Sequence, residues 1–213
     1  MAPGPLNALE RRAIWQLPGK DVSMSDASLT PEYFEDLYAA SADPWSFATS
    51  EYEARKYDAT IEMLGTKAYE RGLEIGCSIG VLTMRLATRC RELVSVDVSA
   101  RALAAAAERC AGRTNLHFRQ MVVPAEMPAG PFDLIVLSEV GYYWSDADLE
   151  LARTRMTEIG PGATVELVHF LPKVAEYVRD GDEVHQAFRN DPRFTTVRSL
   201  RADRYRIDVL RVT

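Results

Sequence analysis

Gly72-Leu-Glu-Ile-Gly-Cys-Ser-Ile-Gly80, followed by Val94-Ser-Val-Asp-Val-Ser99, decides how this chain is read. An apolar run ends in Glu74, and two glycines, Gly76 and Gly80, follow at once. A helix-like segment then leads to a second apolar run that ends in Asp97. Strand, glycine turn, helix, strand and acid make the first half of a nucleotide-binding α/β sheet. The glycine spacing narrows the ligand. A dinucleotide fingerprint, G-x-G-x-x-G, needs a glycine where the backbone approaches a pyrophosphate. Here the spacing is G-x-x-x-G, with Cys77 and Ser78 where that glycine would stand, and the entry to the turn is acidic. An acidic entry opposes a phosphate and suits a cationic ligand with a ribose. A carboxylate at Asp97 is able to accept two hydrogen bonds from a cis diol. Taken one at a time, Gly76 and Gly80 also read as a tight turn and Asp97 as a helix N-cap. The ordered set carries the ligand reading.

Outward from this stretch, strands and helices alternate. Strands are expected at Tyr69–Ile75, Leu93–Asp97, Asn115–Arg119, Pro131–Ser138 and Ala163–His169. Helices are expected at Val81–Arg89, Ala100–Cys110, Asp146–Ile159 and Gly181–Phe188. Phe194–Leu200 and Tyr205–Val212 pair as a closing hairpin across Ala202-Asp203. Before the sheet, Thr30-Pro31 reads as an N-cap hydroxyl with proline at the first helical position, and a second helix runs over about 50–64. The pattern predicts an α/β, Rossmann-like, mostly parallel seven-stranded sheet with an antiparallel C-terminal edge hairpin and an N-terminal helical cap. Residues 1–28 read as a flexible arm, 29–66 as the cap and 67–213 as the binding domain. Ligands of such sheets bind at the carboxyl ends of the strands, and Glu74, Asp97, Glu139 and His169 all fall there.

The 213 residues, 47% of them hydrophobic, suffice for one domain with a sizeable core. The net charge is -6 and no block of Lys and Arg stands out, so nucleic acid is not an expected partner. Cys77, Cys90 and Cys110 have no metal spacing. An odd count without the features of a secretory signal predicts reduced thiols and a cytoplasmic setting. No apolar run approaches the length of a membrane span, and no metal site is expected.

The glycine and acid motifs resemble those of the class I S-adenosylmethionine methyltransferases, whose first motif reads E-x-G-x-x-x-G. Phe132-Asp133 through Glu139 is similar to their fourth-strand motif, and Pro161-Gly162 to the turn before their fifth strand. Tyr33-Phe34, Leu37-Tyr38, Asp43-Pro44-Trp45, Tyr52-Glu53 and Lys56-Tyr57 resemble the N-terminal cap of the NodS-like methyltransferases. Those enzymes methylate the free amine of a deacetylated chitooligosaccharide in nodulation-factor synthesis. The resemblance implies S-adenosylmethionine as cofactor and a small amine acceptor, such as a deacetylated amino sugar or oligosaccharide, in a monomer or homodimer. It places the glycine turn, with Glu74, Gly76, Cys77 and Gly80, under the amino-acid end of the cofactor, and Asp97 with Val98 at the ribose. Trp45 and Tyr52 would close over the cofactor from the cap. Cys77 reads as a small apolar filler rather than a nucleophile. One departure is visible. The segment Arg119–Pro124 carries no acid for the adenine amino group, so Met121 or Val122 would pack on the ring instead.

Methyl transfer needs alignment and a neutral acceptor amine. Glu139 is the first candidate to hold an ammonium and take its proton, against a capping or surface role. His169 is the runner-up base, against a structural role. Tyr143, with Tyr142 and Trp144, would wall the acceptor, against ordinary packing. Lys56 would pair with the cofactor carboxylate or with Glu53. An acceptor hydroxyl or carbon, or a binding module without catalysis, are the other readings of the same motifs.

Overall fold

The computed structural model describes residues 27–213. Two helices come first, α1 (Pro31–Ala40) and α2 (Glu51–Met63). The chain continues through β1 (Tyr69–Ile75), α3 (Val81–Leu86), β2 (Cys90–Asp97), α4 (Ala100–Arg109), β3 (Leu116–Gln120) and β4 (Leu134–Ser138). A single 3-10 turn, Gly141–Tyr143, precedes α5 (Asp146–Ile159), β5 (Thr164–Phe170), α6 (Gly181–Arg189), β6 (Phe194–Arg201) and β7 (Tyr205–Val212). The sheet order is β3-β2-β1-β4-β5-β7-β6. β1 to β5 run parallel, and β7 lies antiparallel between β5 and β6. This is the expected seven-stranded sheet with its antiparallel edge.

The central strand shows why the pattern folds this way. Leu134 and Val136 of β4 point into one core, with Tyr57 of α2 and Leu82 and Leu86 of α3. Ile135 and Leu137 point into the other, with Leu149 and Met156 of α5 and Val184 and Phe188 of α6. All four strand residues are fully buried, so a continuous apolar run here is two alternating faces, each covered by helices.

Local chemistry sets the element ends. Ser50, Ser99 and Ser145 each accept a backbone N–H from their helix's first turn, and Asp180 and Glu183 form a reciprocal capping box. Thr30 departs from expectation: Pro31 stands at the first helical position, but the Thr30 hydroxyl makes no cap bond. β4 starts at Leu134 rather than Pro131. The Phe132 N–H goes to the Ile159 carbonyl, and the Asp133 carboxylate takes the N–H groups of Glu70 and Arg71. α3 stops at Leu86 because Thr88 and Arg89 bond to carbonyls three residues back. The expected flexible arm lies outside the described residues except at its end. There Ser28 is engaged, donating to Asp148 and accepting the Ser145 N–H at 2.8 Å. Among the described residues no helix is long and apolar enough to cross a membrane.

From β1 the sheet grows through β2 to β3, and from β4 through β5 to β7. Between β1 and β4 the direction of winding reverses, which opens a crevice at the carboxyl ends of the strands.

Candidate active site

A cavity of about 680 Å³ occupies that crevice, a volume suited to a small ligand or two. One wall is the glycine turn. Gly76 has φ +79° and Gly80 φ +81°, a region L side chains avoid. A Cβ on Gly76 would sit 2.1 Å from Val140 Cγ2, so close approach of the chain after β4 demands glycine as well. The Gly76 and Cys77 N–H groups both donate to the Val96 carbonyl, which folds the turn against β2.

Glu74 and Asp97 anchor this wall in different ways. Glu74 is buried and its Oε2 accepts from Thr83 Oγ1 and Ser95 Oγ, each at 2.7 Å. Burial pushes its carboxyl up to about 7, against the two hydroxyls. Asp97 accepts the Ser78 N–H at 2.8 Å and the Ser99 N–H at 2.9 Å, one on each oxygen. A carboxylate has about four lone-pair positions. One therefore remains on each oxygen for a diol, and Asp97 faces the cavity. Burial raises its pKa, and the backbone N–H groups oppose the rise.

The remaining cofactor-side residues line the same space. Cys77 is buried, and burial pushes its thiol well up, which fits an inert filler. Val98, Met121 and Val122 line the cavity beside Asp97, and the Met121 N–H donates to the Asp97 carbonyl. An acid does reach this segment. Glu126, two residues beyond Pro124, accepts the Val122 N–H at 2.8 Å. Trp45 stacks on Phe47 at 5.4 Å and meets Tyr38 edge-on. The Tyr38 hydroxyl lies 2.5 Å from Ser78 Oγ, which ties α1 to the glycine turn. Tyr52 lines the cavity but packs elsewhere than expected. Its ring meets Phe170 and Tyr205, its hydroxyl donates to the Arg204 carbonyl, and none of these partners belongs to the glycine turn.

The opposite wall is a cluster of charged and aromatic side chains. Glu139 holds φ +58°, an uncommon value for a residue with a side chain. Its Oε1 takes Lys56 Nζ at 2.5 Å, and its Oε2 takes the Tyr142 hydroxyl at 2.5 Å and the Phe170 N–H at 3.0 Å. Lys56 is almost wholly buried and also touches Glu53, at 3.1 Å to Oε1 and 2.8 Å to Oε2. Burial alone would lower the Lys56 pKa, but the two carboxylates overturn that and raise it, so the ammonium stays charged. Lys56 therefore bridges both acids, and the expected pairing with Glu53 is half of its role. Beside them Tyr142 stacks on Tyr177 at 4.4 Å, and Tyr143 donates to the Tyr177 hydroxyl at 3.4 Å. Tyr143 and Trp144 both line the cavity.

Two expectations about the base change here. Glu139 faces the cavity, but both of its oxygens are already committed to donors of the protein. His169 is fully buried and is absent from the cavity lining. Its Nε2 accepts the Gly141 N–H at 3.2 Å, and its Nδ1 lies 3.2 Å from His185 Nε2. His185 Nδ1 in turn lies 2.8 Å from Asp208 Oδ2. The Gly141 donor fixes the tautomers: His169 donates from Nδ1 to His185, which donates from Nδ1 to Asp208. Burial, then His185 and Lys56, hold the His169 pKa well below its usual value. His169 supports the turn that carries Tyr142 and Tyr143 and has no free nitrogen for an acceptor. Among the described residues no group of three or more His, Cys, Asp or Glu is placed to hold a metal ion.

Comparison with known proteins gives the chain its relatives. A nodulation protein S of Azorhizobium caulinodans is 32% identical over 128 residues, covering 58% of this chain and 61% of that protein. A second nodulation protein S, from Sinorhizobium fredii, is 31% identical over 108 residues and is covered to 50% of its length. The chain thus spans between half and two thirds of these curated relatives. Among solved structures, a candidate methyltransferase from Pseudomonas syringae is 29% identical with a TM-score of 0.68, covering 76% of this chain and 99% of that one. The N-methyltransferase NodS of Bradyrhizobium japonicum in complex with S-adenosylhomocysteine gives a TM-score of 0.76 at 23% identity, over 85% of this chain and 98% of that one, and shares the fold. The family model for nodulation protein S matches residues 33–159, more than half of the chain, and the protein belongs to the NodS family.

Proposed function

We propose that this protein is an S-adenosylmethionine-dependent N-methyltransferase whose acceptor is a small amine, most specifically the free amine of a deacetylated amino sugar or oligosaccharide. The observation that carries the reading is one continuous cavity. It has a diol-accepting Asp97 beside a glycine turn at one end and a charged, aromatic wall at the other. Residues 29–66 act in this reading as a cap on the methyltransferase domain, 67–213.

The donor set suits the cofactor. The glycine turn carries no Lys or Arg to meet a diphosphate. Asp97 would hold the ribose hydroxyls through its two remaining lone-pair positions. Val98, Met121 and Val122 would cover the adenine, and Trp45 would close the site with Tyr38 holding the turn. When bound, S-adenosylmethionine supplies a methyl carbon activated by the neighbouring sulfonium. The protein's share of the work is then alignment, exclusion of water and provision of a neutral nucleophile. The aromatic wall offers flat apolar faces to a sugar ring. Membership of the NodS family, together with the identity of its Bradyrhizobium japonicum member as an N-methyltransferase, supports an amine acceptor.

Calorimetric titration with S-adenosylhomocysteine, alone and with deacetylated chitooligosaccharide, tests this function. Saturable binding that tightens when the sugar is present is the expected result. No binding of the adenosine ligand in either case would overturn it.

A further inference from the structure

The acceptor wall holds two acids and a single cation. Lys56 bridges Glu53 and Glu139, so the cluster carries one negative charge that no protein cation balances within it. The two acids are not equivalent. Glu139 meets three donors, Lys56, Tyr142 and the Phe170 N–H, which fill three of its roughly four lone-pair positions. Glu53 lines the cavity and is only 7% exposed, and its Oε2 is held by the ion-pair contact to Lys56 at 2.8 Å, without a hydrogen bond of good geometry. A carboxylate oxygen that meets only one ammonium keeps a lone-pair position for a further donor. A second N–H fits that position, and the charge the cluster lacks is positive. A primary ammonium provides both.

We propose that Glu53 is the carboxylate that receives the acceptor ammonium and takes its proton, with Glu139 and Lys56 as its positioning residues. The inference rests on the amine-methyltransferase reading and names the residue that makes the amine reactive. In the step, an N–H bond of the ammonium breaks and an O–H bond forms on Glu53. The electron pair stays on nitrogen, and the neutral amine is left as nucleophile. The proton on Glu53 passes to solvent when the site reopens. The surroundings suit that task. Burial raises the Glu53 pKa, while Lys56 and the Tyr57 hydroxyl work against the rise and Glu139 adds to it. Tyr52 and Tyr57 on the same helix, Lys56 between the acids and Glu139 after β4 are the titratable groups that face it. Glu139 is the less open of the two, because three protein donors already fill most of its lone-pair positions.

The test compares wild type with Glu53→Gln by calorimetry and by rate against pH. The probes are S-adenosylhomocysteine, deacetylated chitooligosaccharide and its N-acetylated counterpart. Wild type should bind the deacetylated sugar, with S-adenosylhomocysteine present, at least 10-fold more tightly than the acetylated one at pH 7. Glu53→Gln should bind S-adenosylhomocysteine within about 3-fold of wild type and lose that preference. Its kcat/KM should climb with pH up to the amine's own pKa, without the earlier plateau of wild type. If Glu53→Gln does not fold, Glu53→Asp, which keeps the charge but withdraws it by one methylene, should show the same loss with intact S-adenosylhomocysteine binding. An unchanged preference and pH profile in the folded variant would overturn the role of Glu53 and leave the methyltransferase reading standing. Failure of wild type to bind S-adenosylhomocysteine would overturn both.

Discussion

The two walls of the cavity face one another but are assembled differently. From Glu74 to Asp97 the polar contacts come from a single strand-turn-helix-strand unit: Glu74 with Thr83 and Ser95, Asp97 with Ser78 and Ser99. Across the cavity, Lys56 of α2, Glu139 after β4, Phe170 of β5 and Arg204 between β6 and β7 meet from four distant segments. The first wall is nearly complete within its own local chain. The second exists only because a buried ammonium joins two acids across the fold. The contrast teaches that the ligand grip near the ribose is a local property, whereas the acceptor wall depends on the whole sheet being assembled.

Variants on each side sharpen or break that contrast. Asp97→Ala should produce the largest effect, weakening S-adenosylhomocysteine by more than about 100-fold, because hydrogen bonds to a charged group each contribute about 1.5–3 kcal/mol. Calorimetry reads this directly, and a smaller loss than any acceptor-wall variant gives would break the division. Lys56→Met should leave Glu53 and Glu139 facing one another and cost about 3–5 kcal/mol of stability. Scanning calorimetry should show a drop in Tm on the order of 10 °C. Adding Glu139→Gln to Lys56→Met should recover part of it, and no recovery would mean the ammonium acts through packing alone.

Two pH dependences of opposite sign follow, one from the glycine-turn wall and one from the histidine relay behind the acceptor wall. Glu74 is raised to about 7 when folded, so the native state binds the extra proton. Its contribution is complete below the unfolded carboxylate pKa of about 4.3 and is lost as pH rises through 7, on the order of 3 kcal/mol in all. Glu74→Gln should remove that slope in denaturant titrations between pH 4 and 8. His169 is lowered well below its usual value, so here the unfolded chain binds the extra proton. Its contribution is present above pH 6.5 and is lost as pH falls below that, at about 1.4 kcal/mol per pH unit. His169→Gln should flatten the acid side only, the smallest of these effects, and a flattened alkaline side instead would contradict the neutral histidine relay.

What was legible in the chain follows the same division. The glycine turn, Asp97 and the sheet were readable because they rest on period-2 burial, helix crossovers and glycine conformation within a short window. Thr30 holds the N-cap position without a side-chain cap bond, and Pro131 failed as a strand start because Phe132 and Asp133 donate to Ile159 and Arg71. Tyr52 carried an aromatic signal but no direction, and only the β5–β7 edge decided where it packs. His169 lay at a strand end, yet strand position does not reveal that His185 and Asp208 wait behind it. Glu53 stood in the sequence as an ordinary helix glutamate, three residues before Lys56. The position left on its buried carboxylate became visible only when Glu139 arrived to share the same ammonium.

The sequence by itself determined the sheet, the turn and the acid at the end of β2, since each is set by neighbours within a few residues of chain. Tertiary structure alone decided how many donors Glu53 and Glu139 each receive. Hydrogen-bond saturation in a low-dielectric interior is a count over donors brought together from distant segments, and no local pattern contains that count.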